Sequence, residues 1–150
     1  MKNNSNFKKQ VYNEVKRRGL ISEQEMVNNN GEFKDIISIL FHSRTQAHVF
    51  HLQTESFAEH KALQDYYDGV LDLIDGLVES YQGKYGILTN YTTLKVDDYV
   101  SNDEVQSYLN KVNSVIEKNR TSVKESFIQN QIDTVQELIF STLYKLKFLK

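Results

Sequence analysis

Residues 82–104 read QGKYGILTNYTTLKVDDYVSNDE, and this stretch decides how the chain is built. It opens on Gly83 and Gly86, which end whatever helix precedes them. It closes on Ser101-Asn102-Asp103-Glu104, a serine followed three residues later by a glutamate, the pattern of a helix N-terminus. Between the two signals lie roughly fifteen to twenty residues of mixed character. That is long for a loop in a compact domain unless it crosses the molecule.

The rest of the chain reads as helix on both sides of this crossover. There is no proline, so only glycine, asparagine and capping residues can stop a helix. Upstream, a first long helix is predicted over residues 32–52, and Ser56-Phe57-Ala58-Glu59 is a capping box opening a second that lasts to about Tyr81. Downstream, a third helix reaches about Asn119, and Ser122 with Glu125 opens a fourth that runs nearly to Lys150. Before residue 32, a short basic helix over residues 7–18 ends at Gly19. Ser22 with Glu25 caps a further turn ahead of the breaker Asn28-Asn29-Asn30-Gly31. The expected organisation is a basic helical leader over residues 1–31 and a four-helix bundle over residues 32–150. Two helices, a long crossover and two more helices make the ferritin-like form of an all-α bundle.

Apolar stripes support the four helices. The third offers Val105, Tyr108, Leu109, Val112, Val115 and Ile116; the fourth offers Ile128, Ile132, Val135, Ile139, Leu143 and Leu146. The first carries two stripes. Ile36, Ile39, Leu40, Ser43, Ala47 and Phe50 form one, while Ile37, Phe41, His48 and Leu52 form another about a quarter to a third of a turn round. One stripe faces the bundle and the other needs a cover, for which a second subunit is the natural candidate. On the second helix Tyr67, Val70, Leu71, Ile74, Leu77 and Val78 are expected in the core. Asp65, Asp68, Asp72, Asp75 and Glu79 stack on one face, with Gly69 and Gly76 beside them as a notch for a partner backbone.

Composition narrows the chemistry. The 150 residues carry 18 Lys plus Arg against 20 Asp plus Glu, a net charge of −2, so no global positive field holds a polyanion. Without cysteine there are no disulfides, thiolate zinc sites, iron–sulfur clusters or thiol nucleophiles. The start MKNNSNFKKQ has no apolar signal region, and no apolar run is long enough for a bilayer, which predicts a cytoplasmic protein off the membrane. Histidine and carboxylate without thiolate suit iron, manganese or zinc. The Glu-x-x-His pattern of an intramolecular di-iron bundle is absent from the sequence, so a metal site would have to be assembled differently.

Thr45-Gln46-Ala47-His48-Val49-Phe50-His51, Ser56-Phe57-Ala58-Glu59-His60 and Asp75-Gly76-Leu77-Val78-Glu79 together resemble the Dps family of mini-ferritins, over about forty residues from Leu40 to Gly83. In that family a histidine near the end of the first helix, a second twelve residues on, and Asp-x-x-x-Glu fifteen and nineteen residues after the second build a ferroxidase site between subunits. His48, His60, Asp75 and Glu79 stand at those spacings. The resemblance implies that His48 and His60 of one subunit face Asp75 and Glu79 of another. There ferrous iron would be bound and oxidised by peroxide or oxygen, in a homo-oligomer built through helices 1 and 2, a dodecamer in the family, that stores ferric mineral. Gln64 stands where the family has an aspartate, and Val49 where it commonly has a tryptophan; Gln64, His51 and Asp68 are the second-shell or weaker metal candidates. Asp65-Tyr66-Tyr67-Asp68 and the composition also resemble ferritin-like proteins of tailed phages, which would place the chain in host cytoplasm or virion.

Blander readings accompany each of these residues. His60 and His48 read otherwise as hydrogen-bonded histidines at the core edge, His42 as an exposed or core-edge residue, and the acidic stripe as a solvated face. Lys2, Lys8, Lys9, Lys16, Arg17 and Arg18 read either as a soluble N-terminus or as a DNA-gripping tail. The alternatives to an iron oxidase are therefore a non-catalytic ferritin-like or phage-associated oligomer, and a DNA-coating protein.

Overall fold

The computed structural model describes the backbone from residue 23 onward and side chains from residue 32 onward. Four α-helices make up the described chain: α1 (Glu23–Gln53), α2 (Phe57–Tyr85), α3 (Asn102–Asn119) and α4 (Ser126–Phe148), with one 3-10 turn at Arg120–Ser122. The basic cluster Lys2, Lys8, Lys9, Lys16, Arg17 and Arg18 lies outside the described residues, as does the expected helix over residues 7–18.

Short connections set the directions. Residues 54–56 fold α2 back along α1, and residues 120–125 fold α4 back along α3. Each helix packs on two others, α1 on α2 and α3, and α4 on α2 and α3, so the four close a square around one core. Residues 86–101 contain no helix and travel the length of α1, which sets α3 parallel to α2. The core is continuous from Phe33, whose ring stacks on Tyr81 at 3.9 Å, to Leu146 near the other end of the sequence.

The caps explain where the helices start. Ser56 accepts a bond from the Glu59 amide and Ser101 one from the Glu104 amide, each at 3.3 Å. The Glu59 side chain does not complete the expected box. Its buried carboxylate accepts from Thr54, Tyr99 and Asn102 instead, because three donors from the adjoining chain outweigh one backbone amide.

Four expectations about the helices are corrected. α1 runs unbroken through Asn28-Asn29-Asn30-Gly31, since poor helix formers costing up to about 1 kcal/mol each are carried by a helix already propagating into a packed core. α4 starts after Glu125, without a side-chain cap, rather than being opened at Ser122, whose hydroxyl is buried without a partner. The deeply buried tyrosines of α2 are Tyr66 and Tyr81, while Tyr67 and Leu71 sit at the rim. Gly69 and Gly76 face α4 of the same chain, where an added Cβ would meet Leu138 at 3.5 Å and Gln131 at 3.4 Å, so the notch needs no second backbone.

The crossover is a strap held by side chains of α1. Ser38 accepts from the Thr92 amide, His42 reaches the Lys95 carbonyl, and Gln46 both accepts from the Asp97 amide and donates to the Asp97 carbonyl. Gln53 accepts from the Tyr99 amide and donates to the Asp98 carboxylate. Spacings of four place Ser38, His42 and Gln46 in one column on the helix. The extended backbone thereby finds partners it would otherwise take from a neighbouring strand.

Candidate functional site

The end of α1 and the start of α2 bring three histidines and a tyrosine together. His51 and His60 stack at 3.6 Å between ring centroids, inclined by 23°. Nδ1 of His51 lies 2.8 Å from the His60 carbonyl oxygen, and Nδ1 of His60 lies 3.0 Å from the His51 carbonyl oxygen. A carbonyl oxygen only accepts, so both Nδ1 atoms carry hydrogen. In the neutral ring Nε2 then keeps its lone pair, the form that ligates a metal. Among the described residues no hydrogen-bond partner reaches either Nε2. His48 stacks on Tyr67 at 4.3 Å and lies 5.9 Å from His51; Tyr67 meets His51 edge-on at 5.2 Å.

His51 is thus the centre of the cluster, touching His48 on one side and His60 on the other. The twelve-residue spacing of His48 and His60 hid this. The signal that could have found it is local: a capped turn of three residues between antiparallel helices brings His51, third from the end of α1, face to face with His60, fourth from the start of α2.

The carboxylates are elsewhere. Asp75 and Glu79 are exposed one turn apart on α2, and Asp75 stands fifteen residues past His60, about 22 Å along the helix axis. Among the described residues no three His, Asp or Glu side chains gather closely enough to hold a metal ion. Asp68 and Asp72 are exposed as well, and Asp65 pairs with Lys145 at 2.8 Å. Gln64 accepts from Lys61 at 3.1 Å and touches none of the three imidazoles through a hydrogen bond.

Exposed apolar side chains stand on α1 and α2, among exposed polar ones such as Gln53, Glu55 and Lys61. Leu52 is 70% exposed and Phe57 79%, and Phe41 and Leu71 are exposed on the same two helices. Of the second α1 stripe only Ile37 is buried; Phe41 meets Tyr91 of the strap edge-on, and His48 is half-covered.

A second concave feature lies under the strap. A cleft of about 430 Å³ is lined by His42, Tyr108, Leu94, Lys95, Lys111 and Val115 among others. Tyr108 donates to His42 Nδ1 at 2.6 Å, because His42 Nε2 must carry the hydrogen it gives to the Lys95 carbonyl. Burial first, then the charges of Tyr66 and Asp97, push the Tyr108 phenol well above its ordinary range. The reading of His42 as a surface or core-edge residue missed this role as an anchor of the strap.

No described helix is long and apolar enough to cross a membrane. No curated protein and no solved structure is detectably similar to the chain. A family model does match, over residues 51–146, a span that holds the whole of α2, α3 and the strap together with His51, His60, Gln64, Asp75 and Glu79, and leaves out His48. The chain belongs to DUF5856, a family of unknown function.

Proposed function

We propose that the chain is the subunit of a Dps-like, ferritin-like oligomer that binds ferrous iron and oxidises it with peroxide or oxygen at a site shared between two subunits. The observation that carries the reading is the His51–His60 clasp, in which the carbonyl oxygen of each residue holds the other's Nδ1 and neither Nε2 has a hydrogen-bond partner among the described residues, while no three ligating side chains of the described chain gather into a site of their own. The donor set fits the ion: neutral imidazoles beside carboxylates suit ferrous iron, and α2 carries Asp75 and Glu79 at the i, i+4 spacing that lets two carboxylates act together. A second subunit related by a two-fold axis would bring its Asp75 and Glu79 to the histidines while covering Leu52 and Phe57. In this reading His48 and His60 bind the iron, His51 holds the His60 ring in place and can share the metal, and Tyr67 supports His48.

Ferrous iron added with a stoichiometric amount of peroxide is the test, followed by ferric absorbance in the wild type and in the His48→Ala, His60→Ala variant. Fast oxidation in the wild type and its loss in the variant, with helix content unchanged, is the expected result. Background rates in both would leave the second reading, a non-catalytic helical oligomer. That alternative draws on Gln64, which is engaged by Lys61 and stands where an acidic ligand would be wanted.

A further inference from the structure

Phe140, Tyr144 and Phe148 follow one another at four-residue steps on the outer face of α4, and they are 52%, 57% and 61% exposed. Side chains four apart lie on one face of a helix, so the three rings form one continuous aromatic ridge. Tyr144 and Phe148 already touch at 5.5 Å, and Lys147 lies over the Phe148 ring at 5.2 Å. α4 packs on α2 and α3 and stands diagonally across the square from α1, the helix that carries His48 and His51. Nothing in the proposed iron chemistry uses it.

We propose that this ridge is a second, self-complementary interface, at which α4 of one subunit packs antiparallel on α4 of another across a two-fold axis at Tyr144. The charge pattern picks out this occupant. Glu137 precedes the ridge on the same face and has no ion-pair partner among the described residues, while Lys147 and Lys150 flank its far end at Phe148. An antiparallel pairing centred on Tyr144 sets Phe140 opposite Phe148 of the second copy and Tyr144 opposite its own counterpart. Glu137 then falls within reach of Lys147 and Lys150 of that copy, and the same contacts repeat across the axis. A parallel pairing would place like charges side by side. An isologous contact on α4 and another on α1–α2 do not share residues, so together they extend an assembly beyond a dimer.

Light scattering coupled to size exclusion, at low and physiological salt, tests this through mass alone and independently of iron. The wild type is expected to exceed a dimer. Phe140→Asp with Tyr144→Asp should reduce it to a dimer, because the α1–α2 contact survives. Leu52→Asp with Phe57→Asp should also leave a dimer, and the four changes together a monomer. Glu137→Lys alone should weaken association at least tenfold, and adding Lys147→Glu and Lys150→Glu should restore it. All the altered side chains are solvent-exposed, and an unchanged thermal melt confirms folding. A wild-type mass unaffected by Phe140→Asp with Tyr144→Asp, a monomeric wild type, or a ridge needed only for binding to anionic phosphatidylserine vesicles would overturn the proposal.

Discussion

The Tyr85 hydroxyl lies 2.7 Å from both carboxylate oxygens of Glu125, a shared hydrogen bond that ties the last turn of α2 to the residue just before α4. Burial alone would raise the Glu125 carboxyl, but the bond from Tyr85, backbone amides and the charge of Lys84 outweigh it and hold the group below its ordinary value. A depressed carboxyl stabilises the fold above its unfolded pKa, and that contribution disappears as pH falls through the folded value. Tyr85→Phe should therefore cost about 1 kcal/mol at neutral pH. Its cost should shrink in acid, which urea unfolding at neutral and acidic pH would show.

Alkali should unfold the protein in a window set by buried phenols. Tyr81 and Tyr85 are both pushed up to about 12, by burial first and then by Glu125. Burial drives Tyr66 higher still, against a smaller opposing effect of its bond to Ser43. A raised folded value means that the stabilisation is complete below about 10, the phenol value in the unfolded chain, and is lost as pH climbs toward the folded value. The last of the tyrosinate absorbance should appear together with the loss of helix content above that point; all nine phenols ionising near 10 with the helices intact would contradict the burial.

Three glycines should respond in opposite directions. Gly69 and Gly83 lie inside α2, and a methyl group at Gly69 meets Leu138 only at ordinary contact distance while at Gly83 it meets nothing. Alanine at either should raise stability by about 0.5–1 kcal/mol. Gly86 ends α2 at φ +91°, where alanine is strained, so Gly86→Ala should destabilise by about 1 kcal/mol or more. Thermal melts of the three single variants decide the matter.

The strap depends on Gln46. Its side chain is fully buried and its amide satisfies both the N–H and the C=O of Asp97, at 2.7 Å each. Gln46→Ala should cost about 2–3 kcal/mol by orphaning two backbone groups. Amide exchange should accelerate across residues 92–99 before it does in the helices; uniform acceleration would show the strap is not separately held.

Subunit mixing tests the proposed shared iron site. The His48→Ala, His60→Ala variant and the Asp75→Asn, Glu79→Gln variant should each be inactive in iron oxidation. Co-assembled in equal amounts they should recover about a quarter of wild-type activity, because half of two-fold pairs are mixed and each holds one intact site of two. A mixture as inactive as its parents would exclude the shared site.

The helices themselves were plain in the sequence, because apolar residues recur at helical spacing and Ser56 and Ser101 cap as the pattern demands. The α4 stripe from Ile128 to Leu146 is buried as read, apart from Leu143 at the rim. Polar side chains with two competing uses were not legible. Glu59 left its capping role for Tyr99 and Asn102, residues forty and more positions away, and Ser122 is buried ahead of α4, which starts without a side-chain cap. The fate of His42 and Gln46 depended likewise on where an extended segment would lie. Of the candidate site, His48 and His60 stood out by spacing, whereas the central place of His51 follows from a contact across the turn.

The strap has a kinetic consequence. Within each pair, α1 with α2 and α3 with α4, the turn is only a few residues, so their contacts form with little loop entropy. Contacts between the pairs are remote: Gln46 and Asp97 are 51 residues apart, and Asp65 and Lys145 are 80. Folding thus meets its largest entropic barrier when the two hairpins dock, with the extended segment as their tether. Shortening that tether would change how fast the halves find each other, whereas strengthening Gln46 or His42 would change only how firmly they stay.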